Sequence, residues 1–452
     1  MTAATLTAPV AVSRPVPARR GYRFELVKLL AQWRIRLLLL ACWIGPAGFV
    51  AVVSRQSSLP SDTVFGRWMG QTGWAGSLVV LSFCCSWVLP FLTSLVAGDV
   101  FAVEDRLGTW RHLLVAVRSP RRIFAAKTLA SLTVIGVLVV GLAASGIVGG
   151  LAAVGNRPLI GLDGQAMSGG AAAGAVLLAW ATALAPTLTF AAVGLLGSVA
   201  LGRSPMGLLA PAVLGLALQL AQMLPMPAIV RAALPSYAFI SWRGLFTESV
   251  QVRTVLVGVL VSVVWAVVAS ALAFRIFTRR NFTDVAYDGA GRRLVVQAGV
   301  PFVALLLAGG AAVAAATPAV GSGIDKAKIE RSLATAYAHL YRRQAHQLHR
   351  PDVTEQQLRT AASCDKGGSL VADSGPGNDW RCVVSWHIPG AVVTGSAIYQ
   401  LDVTSDGRYV ADGDGPQSVN GFFQVRTPTG DAPNPLWQFD GDVDLLGGSA
   451  KG

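Results

Sequence analysis

Charged side chains are scarce in this 452-residue chain, and those between Glu104 and Lys127 are the ones grouped as if to act together. The stretch EDRLGTWRHLLVAVRSPRRIFAAK carries six Lys or Arg, whereas residues 76–98 and 128–154 on either side carry no charge. An acidic pair, Glu104 and Asp105, opens it, and Arg121, Arg122 and Lys127 close it. Opposite charges spaced along a short segment suit noncovalent chemistry: they set the register of a docked partner more than they raise its affinity. Gly108 permits a sharp turn, Thr109 is placed to cap the helix that follows, Arg111 lies on that helix, and Pro120 divides it from the next.

Catalytic chemistry is not indicated, and the chain reads as a non-enzyme. Gly is nowhere followed by Lys, so the phosphate-cradling GxxxxGK[ST] loop is missing, and HExxH is missing too. The apolar stretches hold no His and almost no carboxylate, Asp99 lying at the edge of the second. Ion-coupled carriers place titratable groups at mid-depth, so a gradient-driven mechanism is disfavoured. His339, His346 and His349 recur at i, i+7 and i+10 opposite an apolar helical stripe, a geometry that a metal could use. Neither a cysteine nor a well-placed carboxylate completes the set, so a solvated polar face is expected and no metal site.

The elements that position these residues are membrane elements. The chain is 53% hydrophobic and 13% charged, and apolar runs near the length of a membrane span recur at 37–53, 76–100, 128–154, 171–201, 206–226, 254–274 and 294–316. The net charge of +13 does not mark nucleic-acid binding, because residues 1–320 hold 25 basic and 9 acidic side chains and the remainder is slightly acidic. An amino terminus inside places 19 of those 25 basic residues in cytoplasmic segments, as the positive-inside rule requires. Seven spans then put the carboxyl-terminal region outside, and the first run reads as a retained span of a cell-membrane protein rather than a signal peptide.

Cys42, Cys84 and Cys85 lie in spans as small apolar fillers. Cys364 and Cys382 are the only two in the outside region and are expected to form a disulfide, worth roughly 3 kcal/mol in the chain-entropy model.

The expected fold is mainly α: a polytopic transmembrane bundle, six spans plus a seventh, with a small extracytoplasmic α+β domain. Residues 1–20 read as a disordered cytoplasmic tail, 21–36 as an amphipathic interfacial helix, 37–280 as the six-span domain, 281–293 as a cytoplasmic linker, 294–316 as the seventh span and 324–452 as the outside domain. In 21–36, Leu26, Leu29, Leu30, Trp33 and Leu37 form one stripe and Glu25, Lys28, Gln32 and Arg36 another; the alternative is the lower end of a long first helix. The 202–205 turn makes spans four and five antiparallel neighbours. Residues 227–253, dense in aromatics, form either short re-entrant helices broken at Pro235 or an interfacial loop. The outside domain should hold one helix over 324–349 and strands at 380–388, 395–403 and 408–411, with its last 25 residues poorly ordered.

The 104–127 loop resembles that of the permease subunits of ATP-binding-cassette exporters of the type-2 class. The matching residues are Glu104 and Asp105, Gly108 and Thr109, Leu113 and Leu114, Ser119 and Pro120, Arg121 and Arg122, Ile123, and Lys127 entering the third span. The resemblance extends over roughly residues 20–280 and ends there, since such subunits normally stop near a sixth span. It implies an ATPase-docking site at Glu104, Asp105, Gly108, Thr109, Arg111, Pro120, Arg121, Arg122 and Lys127. It also implies a separate ATPase subunit that binds the ATP, no cofactor in this chain, and a dimer of permeases in the membrane lipid. The expected activity is outward movement of an amphiphilic drug, lipid-linked compound or peptide. The alternative is a non-transporting sensor or envelope scaffold acting through the outside domain.

Overall fold

The computed structural model describes residues 17–56, 68–69, 72–117, 119–202, 206–282, 291–368, 371–428 and 430–448. The tail up to residue 16, the turn at 203–205 and most of the 281–293 linker lie outside the described residues.

Helix α1 (Ala18–Leu30) gives way at Ala31 and Gln32, where Gln32 takes extended backbone, to α2 (Trp33–Val53). The first helix is therefore separate from the first span. Glu25 and Leu29 face the protein, while Leu30, Trp33 and Leu37 face away from it. The next rod joins α3 (Gly73–Phe83), a π-helical turn (Cys84–Val88) and α4 (Leu89–Ala97). Two short helices, α5 (Ala102–Leu107) and α6 (Trp110–Val117), lead to the long α7 (Pro120–Ala153). A hairpin of β1 (Leu159–Ile160) and β2 (Ala166–Met167) precedes α8 (Gly169–Ala200) and α9 (Met206–Met223).

Residues 227–253 then form α10 (Ala228–Ala232), a 3-10 turn (Pro235–Tyr237), α11 (Ala238–Ser241) and a second 3-10 turn (Trp242–Phe246), broken at Pro235. The last long helices are α12 (Val252–Thr278) and α13 (Gly291–Ala316).

Among the described residues, six helices are long and apolar enough to cross a membrane. The fifth apolar run, 206–226, is shorter as a helix, Gly207–Met223. At 1.5 Å per residue it reaches about 26 Å against a hydrocarbon core of about 30 Å. Pro225 and Pro227 stop it, since neither supplies an N–H and each bars helical backbone in the residue before it.

Small residues let the helices approach where lipid offers no hydrophobic drive between them. A Cβ on Gly150 of α7 would lie 2.0 Å from the Gly73 carbonyl oxygen, and Gly197 of α8 meets Gly207 of α9 as closely packed antiparallel neighbours. Leu40 and Ile44 on α2 and Leu256, Leu260 and Val267 on α12 remain largely exposed, as a lipid-facing surface requires.

The carboxyl-terminal domain packs α14 (Lys326–Gln347) on a five-stranded antiparallel sheet: β3 (Ala361–Lys366), β4 (Gly377–Trp386), β5 (Gly395–Val403), β6 (Arg408–Gly413) and β9 (Gln438–Asp442), in that order. Asp325 caps α14 by accepting the Lys328 N–H at 3.0 Å. Ile329, Leu333, Ala336, Tyr337, Leu340 and Tyr341 bury the expected stripe. Cys364 and Cys382 face each other across β3 and β4 and are bonded.

Of the last 25 residues, those described up to Gly448 are ordered, contrary to the sequence expectation. The hairpin of β7 (Gln424–Thr427) and β8 (Gly430–Pro433) precedes β9, and Leu436, Phe439, Val443, Leu445 and Leu446 are core. The domain shares that core with the bundle, because Ala228, Ala232, Tyr237 and Val313 join the same apolar cluster as Ile329 and Trp380.

Candidate functional site

Helix α12 gives the molecule two ends. Thr254, near its start, donates to Asp444 of the sheet domain at 2.9 Å, and Phe277, near its finish, packs on Phe101, Trp110 and Phe124 of the loop region. The ends are about 35–40 Å apart along the helix.

At the loop end, α5 closes on Gly108 in the left-handed conformation (φ 66°), which costs little only in glycine. Lys127, 1% exposed, donates to Glu104 at 2.8 Å and to Glu25 at 3.0 Å. Lys28 and the Thr109 hydroxyl also donate to Glu104, whose side chain is fully buried. Two acids and two lysines thus compensate each other in a dry site, as buried charges must. Asp105 accepts the Trp110 indole N–H at 2.7 Å and the Arg280 guanidinium at 2.9 Å. Asp99 accepts from Arg34 at 2.8 Å and from Arg106. Arg280 also lies over the Trp110 ring, 5.8 Å from its centroid.

The structure shows where the residues of the sequence assignment sit. Glu104, Asp105 and Lys127 are internal and tie the loop to α1, α7 and the residues just after α12. The acidic pair takes Lys28, Lys127 and Arg280, since a carboxylate held away from water must be compensated by the cations that the fold brings beside it. Thr109 stands just before α6 but donates its hydroxyl to Glu104. Gly108, Arg111, Arg121 and Arg122 are exposed, and Pro120 sits half-buried in the first turn of α7. Leu107 (65% exposed) and Val115 (77%) add an apolar component that charge counting overlooked.

At the sheet end, a cavity of about 660 Å³ lies between the π-helical turn, the end of α9, the aromatic segment and the β5–β6 turn. Ser86, Trp87, Leu216, Leu220, Phe239 and Trp242 form much of its wall, and Gln219, Arg243, Asp406 and Arg408 are among its polar groups. The π turn widens the helix here, and the Cys85 carbonyl accepts from Gln219 at 3.1 Å. Such turns occur often at functional sites.

Arg243 holds Asp406 through two contacts, 3.0 Å to the carboxylate and 3.1 Å to its carbonyl, and lies 3.6 Å from Asp442. Burial alone would raise the Asp406 pKa, but Arg243 beside it holds the carboxyl at about 2. Asp442 is pushed up to about 6, chiefly by burial; Arg243 opposes the shift, and Asp406 and Asp444 add to it. Sequence reading missed this cavity, whose only local signal is the aromatic density of 237–246.

The histidines also divide. His346 and His349 are exposed, as expected of a solvated face. His339 is not: it is 7% exposed and its Nδ1 contacts the Asp163 carbonyl at 2.8 Å. Its Nε2 lies 3.4 Å from a carboxylate oxygen of Glu248 and 3.4 Å from one of Glu355. The carboxylates that the helix lacks locally come from distant segments, which corrects the expectation that nothing completes the set.

Six long apolar helices carrying a sheet domain define a multi-pass membrane helical bundle. No protein-family model matches the chain, and no curated protein matches it either.

Proposed function

We propose that this chain is the permease subunit of an ATP-driven exporter, moving an amphiphilic substrate outward under the action of a separate ATPase subunit. The basic bias supports a loop end in the cytoplasm and a sheet end outside, with the short α9 completing seven spans. The observation that carries the reading is the anchoring of α6. The α5–α6 pair presents Leu107, Arg111 and Val115 outward; Trp110 of α6 donates to Asp105 of α5, and the Lys127–Glu104–Glu25 and Asp105–Arg280 contacts root α5 in α1, α7 and the residues just after α12. A push on α6 is therefore delivered to α1, α7 and α12 as one body.

The remote cavity supports the same reading. Its volume suits a small-molecule site, and apolar walls with an Arg243–Asp406 edge suit a molecule with one polar end. The likeness of the loop to type-2 permeases supplies the partner: an ATP-binding subunit, in a complex built on two permease copies.

Co-purification with the cognate ATPase tests the docking face. Arg111→Glu, Arg121→Glu and Arg122→Glu together should abolish association while leaving the protein folded. Leu216→Trp, which fills the cavity, should abolish transport and leave association intact. Transport into vesicles by the purified chain with no ATPase present would overturn the proposal.

A further inference from the structure

The geometry around His339 points to a divalent transition-metal site of the zinc type, held by His339 Nε2 and one carboxylate oxygen each from Glu248 and Glu355. The three ligand atoms lie within 4.8 Å of one another. Zinc binds imidazole nitrogen and carboxylate oxygen at about 2.0–2.2 Å, so two ligands of a tetrahedral ion stand about 3.3–3.5 Å apart. The two observed nitrogen–oxygen separations are both 3.4 Å. Charge-assisted hydrogen bonds would be about 2.7–2.9 Å, so the spacing fits an ion between the groups better than a proton.

The outer contacts are those that a metal ligand needs. The Asp163 carbonyl accepts from His339 Nδ1, which puts the ring proton on that nitrogen and leaves the Nε2 lone pair facing the carboxylates. The carboxylate of the same Asp163 accepts the backbone N–H of Glu248, so one residue orients two ligands. Arg342 donates to the second oxygen of Glu355 at 3.0 Å, leaving the first for the ion. Three protein ligands leave a fourth position, and all three line a cleft of about 960 Å³ through which water and the ion can enter.

Imidazole in the set selects against Mg²⁺ and Ca²⁺, which prefer oxygen. Glu248 belongs to the segment leading into α12, His339 to α14, and Glu355 to α15 (Glu355–Leu358). The bound ion therefore staples the sheet domain to the helical bundle, independently of any transport role.

The test uses the full chain purified in detergent, stripped with a chelator and dialysed, then titrated with ZnCl₂ and, separately, MgCl₂. One zinc per chain is expected by calorimetry and elemental analysis, with no magnesium binding. Glu355→Gln keeps an oxygen for Arg342 and should weaken zinc at least 10-fold; His339→Gln should remove stoichiometric binding. Zinc should also slow proteolytic separation of the sheet domain in the parent protein and not in His339→Gln. Absence of stoichiometric zinc in the parent overturns the proposal without reference to any variant. So does undiminished binding in folded Glu355→Gln or His339→Gln, which would place the ion on His346 or His349.

Discussion

Replacing Lys127 with methionine keeps most of the side-chain volume and removes the ammonium that Glu25 and Glu104 share. The parent cluster balances two acids with two lysines. The variant leaves Glu104 to Lys28, whose side chain is 33% exposed, and to the Thr109 hydroxyl, and takes from Glu25 the lysine that it meets. Stripping a buried charge of its partner costs on the order of 3–5 kcal/mol. Because Lys28 still donates to Glu104, a loss near 3 kcal/mol is expected.

Adding Glu104→Gln removes the other half of the closer contact, and the pair should show a coupling of roughly 1–3 kcal/mol. Lys28→Met, at the wetter edge, should cost only about 1 kcal/mol. The assay is unfolding in mixed micelles by increasing SDS, followed by tryptophan fluorescence. A Lys127→Met protein as stable as the parent, or a double variant whose losses simply add, would refute the account of this cluster as the root of α6.

The sheet domain's attachment should weaken with rising pH. Folding raises the Asp442 pKa from the ordinary carboxylate value to about 6, so the folded form keeps that proton longer than the unfolded chain does. The stabilisation is complete below about pH 4 and lost as pH climbs to 6, a slope visible in thermal melts and absent from Asp442→Asn. Breaking the Cys364–Cys382 bond with Cys364→Ser and Cys382→Ser should lower domain stability by roughly 2–4 kcal/mol in the same melts. Gly150→Leu drives a side chain into the Gly73 backbone and should separate α3 from α7, with a loss of at least about 1–3 kcal/mol or failure to fold, read by size-exclusion profile.

Much of the fold was legible because it follows from local pattern. The apolar stripe from Ile329 to Tyr341 marks α14, and the strand at 395–403 falls where alternation and turns put it. The final 25 residues misled because β9 reads QFDGD, a strand without apolar alternation, in which Asp440 is buried and Asp442 faces Arg243. Gly and Pro around it signal turns, and those turns are ordered by Leu436, Leu445 and Leu446 inserting into a core built by other segments.

By itself the sequence determined where the chain is apolar for the length of a membrane, which region is helix and sheet, and which two cysteines meet. Those properties are sums over neighbouring residues. Tertiary structure alone decided what each charge does. Lys127 meets Glu25 from 102 positions away, Asp105 meets Arg280 from 175, and His339 finds its carboxylates on two separate segments. A buried charge must be matched by whatever the fold brings beside it, and that choice is a property of distances in space, which spacing along the chain does not contain.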